Sequence, residues 1–115
     1  MSIDVLQTLE NIEILENFLN RIRPPEEIRQ RLDIGYRIDN QSIIIYEERP
    51  VWNQPGEIRQ GDFAKVTYVR SKGIWKVFWL RANLKWDAYD PAPLVKSLQQ
   101  FVKLVEEDKH NCFRG

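Results

Sequence analysis

Glu47, Glu48, Asp62 and Lys65 are the residues in this chain best suited to metal-assisted hydrolysis. Acids and a lysine on adjacent strands can hold a divalent cation and position a water for attack on a phosphodiester. Their spacing works against that chemistry. "DFAK" places one residue too many between Asp62 and Lys65 for an acid-x-Lys arrangement, and alternation along a strand aims the two at opposite faces. Ordinary surface ion pairs account for them more simply, and "EERP" reads as an ion-paired strand end. His110 and Cys112 offer thiol or zinc chemistry. A zinc site takes about four ligands, and a thiol nucleophile needs a cleft and an orienting group. A small buried thiol and a histidine at a helix C-terminus, beside Lys109, are the simpler reading. No glycine-rich phosphate loop, GxGxxG unit or HExxH occurs. The expectation is no catalytic residue, no metal site and no cofactor.

The other chemistry open to these residue types is recognition. Single-stranded nucleic acid needs aromatic rings for stacking and cations along the backbone path. Phe78, Tyr89 and Tyr46 with Lys65, Lys76, Lys85 and Arg37 supply both. Against this, Glu48 and Asp87 fall on the same expected face. Lys+Arg and Asp+Glu balance at 17 each, so no global field favours phosphate or an anionic membrane. No RRM, KH or zinc-knuckle motif is present.

These side chains need a scaffold, and the length of 115 residues allows one ordinary core. A hydrophobic content of 43% and a charged content of 30% fit a folded globular chain rather than a disordered one. The single cysteine fits a reducing compartment. No apolar run reaches the roughly 18 residues of a transmembrane helix, and the acidic, amphipathic start does not resemble a signal peptide. The cytoplasm is the expected location, with no membrane association.

Leu6, Leu9, Ile12, Leu15, Phe18, Leu19 and Ile22 recur at helical spacing. The spacing predicts a helix over about 4–22, started by an Asp4–Gln7 capping box and stopped by Pro24. "PPEEIRQRL" predicts a second helix over about 25–32, burying Ile28 and Leu32. From Asp33 the period becomes two. A two-residue turn at Asn40-Gln41 sets Ile38 opposite Ile43, Tyr36 opposite Ile45 and Ile34 opposite Glu47. "RPVWNQPGEIRQGD" reads as a loop between hairpins. Turns at Lys72-Gly73 and Ala82-Asn83 then pair Tyr68 with Val77, Val66 with Trp79, Trp79 with Trp86 and Val77 with Ala88. The last helix is expected over about 91–108, capped by Asp90, with Leu94, Leu98, Phe101, Val102 and Val105 on one face.

The implied fold is α+β: a single domain over 1–115 with a four- to five-stranded antiparallel sheet over about 33–89, most simply a meander, and helices from both ends on one face. Val66, Tyr68, Trp75, Val77, Trp79 and Trp86 form the floor under the helices. The opposite face collects Lys65, Thr67, Val69, Lys76, Phe78, Leu80, Lys85, Asp87 and Tyr89, joined by Arg37, Ile44, Tyr46 and Glu48. A one-residue slip in either turn exchanges the two faces.

The segments "RPPEEIRQRLDIGYRI", "SIIIYEERPVW", "AKVTYVR", "WKVFWLRANLKWDAYDP" and "VEEDKHNCFRG", in this order, resemble a family of short bacterial proteins catalogued only as a domain of unknown function. That family typically ends with a glycine before the Cys-Phe pair and an aromatic before the final glycine. Asn111 and Arg114 stand there in this chain. The resemblance implies a bacterial or phage-type origin and a stand-alone domain, and carries no activity. The functional expectation is a small non-enzymatic interaction module. Its partner is a protein or a second copy of the chain, engaged through the lysine-fringed apolar sheet face. Nucleic-acid binding through the same face is the first alternative, and a metal-dependent phosphodiesterase using Glu48, Asp62 and Lys65 the second.

Overall fold

The computed structural model describes residues 8–109, 112 and 113. Helix α1 (Leu9–Ile22) opens under Thr8, whose hydroxyl accepts the Asn11 N–H at 3.3 Å. The expected Asp4–Gln7 box lies outside the described residues. Leu15, Phe18 and Leu19 supply the buried stripe of α1. Arg23 turns to extended backbone ahead of Pro24, as the clash of a proline ring with the preceding residue requires.

The second predicted helix is only a 3₁₀ turn, Glu26–Ile28, with Ile28 exposed. Its few N–H groups close tight bonds, Ile28 to Pro25 O and Arg29 to Glu26 O. The chain must then reach β1 (Asp33–Asp39) within a few residues. A fork anchors the connection: Arg23 donates from Nε and Nη2 to the two Asp33 oxygens at 2.8 and 2.7 Å.

The sheet runs β1, β2 (Ser42–Pro50), β3 (Ile58–Val69), β4 (Ile74–Leu80), β5 (Trp86–Ala88), each antiparallel to the next, so the meander is present. The first hairpin has the expected register, with Asn40 in the left-handed region at φ 57°. Half of the predicted loop over 49–62 is strand. β2 and β3 continue to the Pro50–Ile58 pair, leaving a turn of 51–57 at the tip of a hairpin arm. Facing residues on the two strands supply the arm's own ladder, which the prolines and glycines in the sequence obscure.

A short strand β6 (Leu94–Val95) replaces the first two turns of the predicted final helix. It pairs with the same edge of β4 as β5, Trp75 with Val95 and Lys76 with Leu94. Between the Phe78–Ala88 and Lys76–Leu94 pairs, β4 advances two residues and the edge chain six. Tyr89 to Pro93 make this detour, and Val77 holds both of its ends. The Val77 carbonyl accepts Tyr89 N–H and its N–H donates to Pro93 O, each at 2.9 Å. Prolines suit such an edge, where no ladder donor is required. Helix α2 (Leu98–Glu107) therefore starts at Ser97, whose hydroxyl accepts the Gln100 N–H, and not at Asp90. Leu94, expected on the helix face, is 52% exposed.

Both helices lie over one face of the sheet. Leu15, Phe18, Leu98, Phe101, Val102 and Val105 meet Ile34, Ile43, Ile45, Ala64, Val66, Trp75 and Val77 in one apolar cluster. Phe113 closes it from the far end of the chain. Its ring stacks tilted on Tyr89 at 4.7 Å and its N–H donates to Asp108 Oδ1.

Candidate functional site

The face turned away from the helices can be read off the strand registers as a grid. One row runs Asp39, Ser42, Thr67, Lys76, Leu94. The next runs Arg37, Ile44, Lys65, Phe78, Ala88. A third contains Gly35, Tyr46 and Asp62, with Leu80 and Trp86 paired beyond them. Glu48 and Gln60 follow. Among the described elements no helix covers this face.

Two local clusters organise it. Gly35 faces Tyr46 and leaves room for the phenol, since a Cβ on Gly35 would stand 2.8 Å from the Tyr46 hydroxyl. Arg37 lies over that ring at 5.7 Å and grips Asp62 with two bonds, Nη1 to Oδ1 at 2.8 Å and Nη2 to Oδ2 at 2.7 Å. The Asp62 hydrogen bonds raise the Arg37 pKa, and burial raises that of Tyr46. In the second cluster Lys65 leans toward β4 and β5. Its ammonium is 4.9 Å from the Phe78 ring centroid and 5.0 Å from that of Trp86. Desolvation over the two rings pushes the Lys65 pKa down, the cost that cation–π attraction partly offsets.

The structure thus brings together eight of the ten predicted surface residues: Arg37, Ile44, Tyr46, Lys65, Val69, Lys76, Phe78 and Leu80. The other two lie elsewhere. Tyr89 is 2% exposed and belongs to the core, because the register of β5 puts it on the helix side, two residues beyond Asp87. Lys85 sits in the turn, where its carbonyl accepts Arg81 N–H at 3.0 Å.

Trp86 was expected under the helices and is on the open face instead. The β4–β5 turn encloses three residues rather than two, with Leu84 in the left-handed region at φ 65°. That is the three-residue hairpin geometry, and the odd difference inverts the parity of β5. Trp86 faces Lys65, while Asp87 moves to the helix side, bonded to Arg81 at 3.3 Å. The β3–β4 turn is also longer than expected, Val69 pairing with Ile74 across four residues. Tyr68 meets Trp75 and Val66 meets Val77. Here the difference is even, so Trp75, Val77 and Trp79 keep their predicted face.

A bulge changes the reading of the acids. Between the Ile45–Ala64 and Tyr46–Asp62 pairs β3 carries Phe63 as an extra residue, and both Phe63 and Ala64 are buried. The extra residue puts Asp62 and Lys65 on the same face, contrary to simple alternation. They still diverge, because Asp62 is held toward β1 by Arg37 and Lys65 leans away over β4 and β5. No group of three or more His, Cys, Asp or Glu with metal-site geometry occurs among the described residues. Cys112 is half-buried with its thiol pKa pushed up by burial, and His110 lies outside the described residues.

The segment order matches one family model over residues 3–115. The chain belongs to the DUF3024 family. DUF3024 is described as a domain of unknown function. No curated protein and no solved structure matches the chain. No described helix of this DUF3024 chain is long and apolar enough to cross a membrane.

Proposed function

We propose that this chain is a small non-enzymatic interaction module that associates with a second copy of itself through the open sheet face. One observation carries the reading. Phe78, Leu80 and Trp86 are part-exposed apolar neighbours beside the buried Ile44 and the ring-covering Lys65, on a face that no described helix covers, whereas the opposite face lies under both helices. Part-exposed apolar and aromatic side chains set among charged ones are a usual composition of a partner surface. The ions support recognition rather than turnover: Asp62 is neutralised by Arg37, and the Lys65 ammonium rests on two rings. Sedimentation velocity over a wide concentration range tests the reading. The chain should move from monomer to dimer, and Phe78→Glu should hold it monomeric. A wild-type chain that stays monomeric throughout sinks it.

Trp86 supports a second reading. Beside Phe78 and Lys65 it adds a ring to a basic, aromatic surface of the kind single-stranded nucleic acid uses. Titrating a labelled oligonucleotide at low salt discriminates the two. Salt-sensitive binding lost in Trp86→Ala favours nucleic acid, and no binding removes it.

A further inference from the structure

The charges on the open face disfavour two of three simple symmetric packings and favour the third. Asp39 and Lys76 occupy the same row of the sheet, on β1 and β4, and both are exposed. Neither has an ion-pair partner among the described residues, although Arg37, Asp62, Asp33 and Arg23 are all paired. A symmetric contact places the same patch on both copies, so every pairing occurs twice. A dyad across the strands through the Lys65 row sets Lys65 against Lys65 and Arg37 against Arg37. A dyad along the strands centred on β3 also opposes the two Lys65 residues. A dyad along the strands between β2 and β3 avoids both. It carries β1 of one copy over β4 of the other, opposing Asp39 to Lys76 and Arg37 to Phe78. Lys65 does not obstruct that contact, since its ammonium already leans over Phe78 and Trp86. Aligned sheets cross at about 30°, an offset that the long Lys76 side chain absorbs.

Resting on the self-association reading above, we infer that two copies pack sheet against sheet with their dyad between β2 and β3, each Asp39 contacting the partner copy's Lys76. Strand spacing of about 4.8 Å and a rise of about 3.4 Å per residue give roughly 500 Å² of face per copy. The pair then buries on the order of 1,000 Å², the lower end for a specific interface, which implies a reversible, concentration-dependent dimer.

A charge-reversal cycle followed by sedimentation tests the geometry, with circular dichroism to verify folding; both positions are exposed and outside the core. Asp39→Lys or Lys76→Asp alone should raise the dimer dissociation constant about tenfold or more, because each creates two like-charge contacts. The double variant should return to within about threefold of wild type. If wild type dimerises but the single reversals leave it unchanged, or the double variant fails to recover, this geometry is wrong and self-association stands. If wild type never dimerises, the self-association reading fails and this one with it.

Discussion

Gly35 is the residue whose absence of a side chain matters most to the open face. Tyr46 occupies the space a Cβ would need, and Arg37 rests on Tyr46 while holding Asp62. Gly35→Ala must push the phenol aside and disturb the whole cluster. We expect a loss of about 1 kcal/mol, read as a lower denaturant midpoint, together with altered near-ultraviolet dichroism from Tyr46. Asp33 offers a pH test. Its hydrogen bonds to Arg23 hold its pKa below the usual carboxylate value, which is about 3.9 in the unfolded chain. A depressed folded pKa gives stability that is present above the unfolded value and is lost as pH falls through the folded one. Denaturation of wild type should therefore steepen below about pH 4 relative to Asp33→Asn. Parallel curves would show that the fork contributes nothing.

At the scale of elements, three boundaries follow from hydrogen bonds that a pattern of apolar residues does not report. "DPAPLV" carries a helix-start signature in Asp90 and Pro91, yet Val77 draws this segment into the sheet edge and leaves Ser97 to cap α2. Ser97→Ala should cost about 1 kcal/mol of stability, while Asp90→Ala should stay within about 0.5 kcal/mol. The reverse order, measured by urea denaturation, would contradict the observed helix start. The bulge at Phe63 and the Leu84 turn both add one residue to a strand count. Each reverses a face, bringing Asp62 beside the Lys65 row and moving Trp86 out from under the helices. Neither a buried phenylalanine nor a leucine in the left-handed region signals such a step in sequence. The glycine at position 73, by contrast, marks its turn openly, with φ at 62°.

Across the whole molecule, one sheet has a face packed under both helices and a face that no described helix covers. The helix side contains the apolar cluster, including Phe113 from the end of the chain. The opposite side is the candidate interface, and the β2–β3 arm extends past both neighbouring strands to carry Trp52 at its tip, 93% exposed. With so little surface buried, Trp52→Ser should change stability by less than about 0.5 kcal/mol. It should also leave the dimer dissociation constant unchanged, since the arm lies beyond the Asp39–Lys76 rows. A lost dimer in this variant would move the interface to the arm.

Sequence alone determined the α+β class, the antiparallel meander, the first hairpin with its register and the buried stripes Leu15–Leu19 of α1 and Leu98–Val105 of α2, though not the exposed Leu9 and Leu94. Those depend on local periodicity and turn chemistry, which act over a few residues. Tertiary structure decided which way Trp86 and Tyr89 face, the sixth strand and the start of α2. Each depends on a parity or a hydrogen bond set by another strand, and a one-residue change in a turn or bulge inverts everything beyond it. The open face was legible as a set of residues because the first hairpin has the expected register and β3 and β4 differ from theirs by an even step. Its tryptophan was not, because one turn is odd.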